Sequence, residues 1–236
     1  MNIRRFFAGD ISIKNSVSVV SDEFYHLTRV LRKKNGDTIE LFDAMGTLAV
    51  GEIVNIEKGS AVVVIKERHS FEKIETKTVI CPSILKRKAM DLLVEKLSEM
   101  GIDEIRPVIF SRTDVKFKEA SLKRWRKISI ESLKVNGKLW PAEIFPPVNI
   151  NSIISLSAKF KSRIIFDIEG TKNGISLSFP AIAVVGPPGD FTDMEKENLK
   201  KNGFTDININ DAVMKSETAA ISAAAIMKLF KTMLKK

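Results

Sequence analysis

The chain has 236 residues, 44% of them hydrophobic and 28% charged, which allows a sizeable core and excludes a disulfide-stapled miniprotein or a wholly disordered chain. Lys and Arg total 38 against 29 Asp and Glu, so the net charge of +9 favours a polyanionic partner such as nucleic acid; the alternative is a merely basic surface. The single cysteine, Cys81, lies among apolar residues and is expected to be a buried thiol in a reducing compartment. With no signal peptide and no apolar run of about 18 residues, we predict a cytoplasmic protein without a membrane span. Two histidines and one cysteine form no recognisable zinc motif, so we expect no metal.

Short β-type runs dominate the first part of the chain. They cover residues 38–42, 48–56 and 61–65, with glycine-containing turns between them. One helical stretch precedes these runs, in which Ser21 is placed to cap the first turn and Arg29 and Arg32 lie on the exposed face. We therefore predict a small β-barrel domain over residues 1–70.

A polar stretch at residues 69–77 shows no apolar period and marks the predicted domain boundary. Beyond it, strand-like and helix-like patterns alternate, which predicts an α/β domain with a mostly parallel sheet over residues 74–236. The predicted strands are 78–84, 105–110, 163–168, 181–185 and 206–209. Helical spacing relates Met90, Leu93, Leu97 and Met100, and also Leu122, Trp125, Ser129 and Leu133; an alanine-rich last helix covers about 216–235. Those alanines indicate either close helix packing or helix propensity alone.

Two strand-to-helix loops could bind a ligand. The first is Gly186-Pro187-Pro188-Gly189-Asp190, which follows a buried strand and precedes a capping box formed by Thr192 and Glu195. The second runs up to Lys215, with Ser216 as the expected N-cap of the last helix. The alternatives are an ordinary turn and an ordinary capped helix start, and neither loop matches a common NAD or ATP motif.

A basic segment at residues 112–138 holds nine Lys or Arg and three acidic residues. Such a cluster attracts phosphates, and Trp125 and Trp140 could stack on bases. The alternative is a solvated helix face with Trp125 in the core.

Short motifs occur in a fixed order along both predicted domains. In the first they are Arg5-Phe6-Phe7, Glu23-x-x-His26-x-x-Arg29-Val30-Leu31-Arg32 and Gly36-Asp37-x-Ile39-x-Leu41-Phe42-Asp43. In the second they are Glu95-Lys96-x-x-Glu99-x-Gly101, the segment from Pro107 to Arg112, Arg124-Trp125-x-Lys127-Ile128, Pro141, Gly186-Pro187-x-Gly189 and Ser216-Glu217-Thr218-Ala219. Across essentially the whole chain they resemble the bacterial 16S rRNA uridine-N3 methyltransferases of the SPOUT superfamily.

The resemblance implies an α/β fold whose C-terminal SPOUT-type trefoil-knot domain follows a PUA-like β-barrel. It also implies that S-adenosylmethionine is bound by the two loops and by the strand end near residue 166. The implied cofactor-binding residues are Phe166, Ile168, Glu169, Val185, Gly186, Pro187, Pro188, Gly189, Ile209, Asn210, Ala212, Val213, Met214, Ser216 and Ala219.

Two implied roles concern chemistry and RNA. Lys215 is the candidate cation that stabilises the uridine anion, and Glu217 is the candidate that holds the loop or assists proton removal. The implied RNA-binding residues are Arg4, Arg5, His26, Arg29, Arg32, Arg112, Lys116 and Arg124.

The resemblance further implies a homodimer, with the 16S rRNA of the small ribosomal subunit as substrate. Two loops depart from the family pattern: Pro188 and Asp190 replace a glutamate and a glycine, and Lys215 replaces an arginine. The alternatives are a methyltransferase of another rRNA or tRNA, and a non-catalytic RNA-binding or ribosome-assembly relative. The target nucleotide, the choice between naked RNA and assembled subunit, and the general base stay open.

Overall fold

The computed structural model describes residues 5–73, 77–172 and 175–234. Contacts divide them into two units, one formed by residues 5–73 with Leu133–Pro141 and the other by residues 77–132 and 142–234. The segment Leu133–Pro141 thus groups with the first unit, although it lies inside the second predicted domain in sequence. Arg4, expected to bind RNA, lies outside the described residues.

The first unit is a five-stranded sheet in the order β1-β3-β4-β5-β2. Its strands are β1 Arg5–Phe7, β2 Ser16–Val20, β3 Thr38–Phe42, β4 Thr47–Glu57 and β5 Ser60–Ser70. All neighbours pair antiparallel except β1 and β3, which pair parallel. The β-rich prediction is confirmed, but β5 runs to Ser70 and extends into the stretch assigned to the boundary.

A short helical segment follows β2, with α1 at Ser21–Tyr25 and a π-helical turn at His26–Val30. The prediction that Ser21 caps this helix is wrong. Val20 holds the N-cap position without a side-chain hydrogen bond, and Ser21 has a φ of 56°. The wider π turn leaves Arg29 and Val30 exposed while Leu27 is fully buried, so the predicted exposure of Arg29 is confirmed.

The second unit contains a six-stranded, all-parallel sheet in the order β13-β11-β12-β6-β7-β9. Its strands are β6 Thr78–Pro82, β7 Glu104–Ile105, β9 Glu143–Ile144, β11 Ser162–Thr171, β12 Ala181–Val185 and β13 Thr205–Ile207; β8 Val108–Ile109 and β10 Val148–Asn149 form a separate parallel pair. The helices are α2 Arg87–Glu99, α3 Glu119–Asn136, α4 Ile150–Ser157, α5 Asp193–Lys201 and α6 Ser216–Met233, and α3 from Leu133 onward groups with the first unit. The predicted single strand 105–110 is wrong, because Arg106 and Pro107 separate β7 from β8.

Alternate residues of the central strands enter two different hydrophobic clusters. Ile80 and Ala183 pack with residues of α2, α3 and α6, whereas Cys81 and Val184 pack with residues of α4 and α5. Both sheet faces are therefore covered, as continuous apolar strands require. The buried-thiol expectation for Cys81 is confirmed.

The alanines of α6 serve internal packing. Ala220, Ala223 and Ala224 are fully buried, and α6 packs on α2, β6 and β12. Small side chains permit this close approach, which supports the packing interpretation of the alanine-rich sequence. Within the described ranges, no helix combines the length and the apolarity needed to cross a bilayer.

Candidate functional site

A pocket lies where β11, β12 and β13 end at their carboxyl edge. Its volume is about 160 Å³. It is lined by Phe166, Asp167, Ile168, Val185, Gly186, Pro187, Pro188, Asp190, Phe191, Asn208, Ile209, Asn210, Ala212, Val213, Met214, Ser216 and Ala219. Ligands of open parallel sheets bind at this edge, because the strand-to-helix loops converge there.

The loop after β12 approaches the pocket with its backbone. A Cβ atom on Gly186 would lie 2.9 Å from the ring of Phe191, so only glycine fits beside this ring. Asp190 has a φ of 64°, a conformation that glycine and aspartate tolerate, and its Oδ1 accepts a hydrogen bond from the Phe191 amide at 2.8 Å. The aspartate therefore adopts the left-handed conformation without a glycine at this position.

The capping box predicted at the end of this loop is confirmed. Thr192 is the N-cap of α5, its side chain accepts from the Glu195 amide, and the Glu195 carboxylate accepts from the Thr192 amide. Glu195 also accepts from the Ser111 amide at 2.8 Å. Burial would raise the pKa of Glu195, but the hydrogen bonds from Ser111 and Thr192 outweigh that effect and lower it below the usual value of 4.5.

The loop after β13 is joined directly to the first. Ser216 Oγ donates to the Gly186 carbonyl oxygen at 2.6 Å, and this side chain is buried. The prediction that Ser216 is an N-cap is wrong, since Lys215 holds that position without a side-chain cap and Ser216 is the first helical residue. The Ser216 hydroxyl therefore links the two loops and does not cap the helix.

Asn208 and Gly170 fix the base of the second loop. The buried Asn208 side chain donates to the Ile168 carbonyl and accepts from the Asn210 amide at 2.8 Å. A Cβ atom on Gly170 would lie 2.6 Å from the backbone of Ile207, so glycine is needed for β11 and β13 to approach this closely.

A charged group lies behind the pocket wall. Lys196 Nζ is 2.6 Å from Asp167 Oδ2 and 3.0 Å from Glu169 Oε2. Burial would lower the pKa of Lys196, but its hydrogen bonds to Asp167 and Glu169 outweigh burial and raise it. The lysine therefore stays protonated, and it partly neutralises the carboxylate that lines the pocket.

The pocket contains all of the expected cofactor-binding residues except Glu169 and Gly189. Glu169 pairs with Lys196, and Gly189 directs its carbonyl away to Arg112. Sequence reasoning missed four lining residues, which are Asp167, Asp190, Phe191 and Asn208. Asp167 and Asn208 each adjoin a predicted residue at the carboxyl end of a strand. Ligands bind at the carboxyl ends of parallel strands, so including every residue at these strand ends would have found both.

The two expected catalytic residues, Lys215 and Glu217, lie where the second loop meets α6. Lys215 is exposed and Glu217 is partly exposed. Within the described part of the chain, neither side chain has a hydrogen bond or an ion pair. Lys215 adjoins Met214 and Ser216 in the chain, and both of these residues line the pocket, although Lys215 itself does not.

The residues expected to bind RNA differ in their surroundings. Arg29, Arg32 and Lys116 are exposed, whereas the ring of His26 lies 5.8 Å from that of Phe6. Other arginines are used within their own units. These are Arg5, which pairs with Glu40 and donates to the Gly137 carbonyl; Arg124, which pairs with Asp91; and Arg112, which donates to the loop after β12. One exposed aromatic was missed, Tyr25, which is 63% exposed and one turn before Arg29.

Groups of three or more potential metal ligands are absent from the described residues.

Comparison with known proteins gives two family matches. A profile described as an RNA methyltransferase domain matches residues 72–228, and one described as an RNA methyltransferase PUA domain matches residues 21–66.

Similar individual proteins carry one recurrent name. The "Ribosomal RNA small subunit methyltransferase E" of Mesomycoplasma hyopneumoniae is 30% identical over 62% of this chain and 67% of its own length. The protein of the same name from Rickettsia conorii is 27% identical over 97% of this chain and 96% of its own. A crystal structure of the Neisseria gonorrhoeae protein of that name, bound to S-adenosyl methionine, superposes with a TM-score of 0.85 at 24% identity, covering 97% of this chain and 98% of that one.

Proposed function

This chain belongs to the RNA methyltransferase family, and on that premise we propose that it methylates N3 of a specific uridine in the 16S rRNA of the small ribosomal subunit, with S-adenosylmethionine as donor. The observation that carries the proposal is the hydrogen bond from Ser216 to the Gly186 carbonyl, because it joins both expected cofactor loops around one pocket.

The lining residues fit the chemistry of this donor. Phe166, Val185 and Phe191 are buried apolar side chains suited to an adenine ring. Gly186 lines the pocket and packs so closely against the Phe191 ring that no Cβ atom fits there. Asp190 is exposed in the first loop, where a carboxylate favours a cationic ligand.

S-adenosylmethionine supplies an activated methyl group on a positively charged sulfur. The chain must bind it, exclude water and present the uridine in line, and the pocket walls supply the positioning. The N3 proton of uridine must also leave. We assign Lys215 to stabilise the resulting anion, because it is exposed, adjoins two residues that line the pocket and has no ion pair among the described residues. Glu217, one residue into α6, is assigned to hold the loop or accept the proton.

For RNA we propose two surfaces, one on each unit. On the first, Arg29 and Arg32 offer phosphate contacts, and exposed Tyr25 offers a stacking face one turn away. On the second, Lys116 is exposed in the basic segment before α3. The proposal includes a cytoplasmic location, since the substrate is ribosomal RNA, and chemistry without a metal, since the donor is already activated.

The proposal also includes a homodimer. α6 exposes Leu229 and Met233, each about 60% exposed, on the side away from its buried alanines. Exposed apolar side chains of this size favour a protein contact. Sedimentation of the purified chain should give a dimer, and a monomer at micromolar concentration would contradict this part of the proposal.

The first test is calorimetric titration with S-adenosylmethionine and S-adenosylhomocysteine. We expect micromolar binding with about one site per chain, and no binding by a folded protein would favour the non-catalytic alternative. The second test is nucleoside mapping of small subunits from cells lacking the protein, incubated with enzyme and donor. We expect a new N3-methyluridine in 16S rRNA, and a product only in another rRNA or tRNA would redirect the proposal.

A further inference from the structure

Arg112 contacts the first cofactor loop, although its sequence context suggests an RNA contact. It lies in the turn between β8 and α3, outside the residues that line the pocket. Its Nη1 donates to the Gly189 carbonyl oxygen at 2.7 Å and to the Phe191 carbonyl oxygen at 3.2 Å. One planar donor group thus ties together both ends of the segment that contains Asp190.

The same turn holds this loop at two further points. The Ser111 amide donates to Glu195, whose carboxylate is part of the capping box at the start of α5. The ring of Phe110 packs edge-on against the ring of Phe191, with centroids 5.3 Å apart. Phe191 in turn lines the pocket and contacts Gly186, so the turn supports a pocket wall from behind.

Most of the donor capacity of Arg112 is still open. A guanidinium group has five N–H donors, and Nη1 makes the only hydrogen bonds of this group among the described residues. The residue is exposed, so Nε and Nη2 face solvent or an incoming anion. The fork geometry suits a phosphate group on the side opposite the carbonyls.

We propose that Arg112 is a positioning residue for the cofactor loop and that a phosphate of the RNA substrate binds to its outer N–H groups. The part of this proposal that concerns the RNA phosphate rests on the proposed function. A phosphate on the outer donors holds the guanidinium in the orientation that also bonds to Gly189 and Phe191, so RNA binding stabilises the loop. By linkage, cofactor binding strengthens RNA binding by the same factor.

The decisive measurement is made without RNA, because a simple RNA contact has no effect there. We expect Arg112→Ala to weaken binding of S-adenosylmethionine about 5- to 10-fold, the effect of losing two hydrogen bonds to the loop. Arg112→Lys should be intermediate, since its ammonium group keeps a charged donor but lacks the planar group that holds Nη1 between the two carbonyls. The matched control is Lys118→Ala, which removes an exposed charge of the same segment and should leave the affinity unchanged. Equal affinity of Arg112→Ala and wild type would overturn the proposal.

Hydrogen exchange of the amides at residues 189–192 gives a readout that needs neither cofactor nor RNA. We expect faster exchange in Arg112→Ala than in wild type and in Lys118→Ala. If wild type binds no cofactor but this difference is present, the proposed function fails while the positioning role stands. If wild type binds cofactor and the exchange is equal in all three proteins, the positioning role fails alone.

The coupling is tested by repeating the cofactor titration with saturating small ribosomal subunits. We expect the affinity of wild type to rise and that of Arg112→Ala to stay at its RNA-free value. In steady-state assays the variant should raise KM for the cofactor more than it lowers kcat. An equal rise in both proteins would overturn the coupling.

Discussion

The loop after β12 and the loop after β13 border the same pocket, but the protein holds them in different ways. The first is supported from behind by Arg112, Phe110 and Glu195, and Gly186 at its start has no room for a Cβ atom beside Phe191. The second is fixed at its base by Asn208 and at its end by Ser216, while Val213 between them is 86% exposed. A loop held by contacts from other elements determines the shape of a site, whereas a loop with free side chains can supply reacting groups. Changes in the first should therefore alter cofactor affinity, and changes in the second should alter turnover.

The largest effect is expected at Lys215. Lys215→Ala should lower kcat roughly 100- to 1000-fold, the range for loss of one preorganised group that stabilises developing negative charge. Cofactor affinity should change little, because the ammonium group has no contact with the pocket wall within the described chain. Single-turnover rates measure the chemical step and calorimetry measures cofactor affinity, both on the same preparation. Lys215→Arg is the control that keeps the charge, and undiminished turnover by the alanine variant would remove Lys215 from the mechanism.

Gly186 tests the first loop with a neighbouring glycine as control. Gly186→Val forces a side chain against Phe191 and should reduce cofactor affinity roughly 10- to 100-fold while the protein stays folded, since overpacking costs about 1–3 kcal/mol. A Cβ atom on Gly189 would meet only Arg112, at an ordinary 3.7 Å, so Gly189→Ala should have a much smaller effect. Calorimetry and thermal unfolding of both variants provide the measurement. Similar affinities would contradict the role given to the Gly186 backbone.

Ser216 joins the two loops, and the loss of its side chain should lower both cofactor affinity and turnover modestly. Ser216→Ala leaves the Gly186 carbonyl without its 2.6 Å donor, so we expect about a 5-fold weaker cofactor affinity and a fall in turnover of similar size. Ser216→Thr keeps the hydroxyl and is the matched control. If alanine and threonine behave alike in the binding assay, the hydrogen bond has no role in joining the loops.

The smallest effect is expected at Glu195 and depends on pH. The folded-state pKa of Glu195 is lowered from 4.5, so its ionised form stabilises the folded protein above that value, and this contribution is lost as pH falls through the lower folded-state pKa. Glu195→Gln should be less stable than wild type at neutral pH, and the difference should shrink as the solution is acidified below 4.5. Urea unfolding at several pH values measures the difference in unfolding free energy between the variant and wild type. A constant difference across the acid range would contradict the stabilising role of ionised Glu195.

The fold was largely predictable, because continuous apolar runs such as Ala181–Val185 identify strands covered on both faces. The errors arose where tertiary contacts override local pattern. Ser216 has the spacing of a cap, yet its hydroxyl is used by Gly186, a residue 30 positions earlier. The apolar run 105–110 predicts one strand, yet its parts, β7 and β8, belong to different sheets.

The candidate site was predictable in outline from its two loops, but the contacts around it were not. Phe191 follows the predicted loop and looks like an ordinary core residue in sequence. Only the structure places its ring against Gly186 and its carbonyl under Arg112. The roles of Asp167 and Lys196 likewise depend on α5 lying beside β11, which no local pattern encodes.

The hydrogen bond between Ser216 and Gly186 also sets an order of assembly during synthesis. The pocket draws on a strand near Phe166 and on α6 as far as Ala219, so its walls are dispersed over more than fifty positions of the chain. At ordinary elongation rates of about 5–20 residues per second, several seconds separate the two ends. A nascent chain therefore has no complete pocket until the first turn of α6 has emerged, and ligand binding cannot assist the earlier strands during synthesis. Until then, these strands of the parallel sheet have only their own packing to order them.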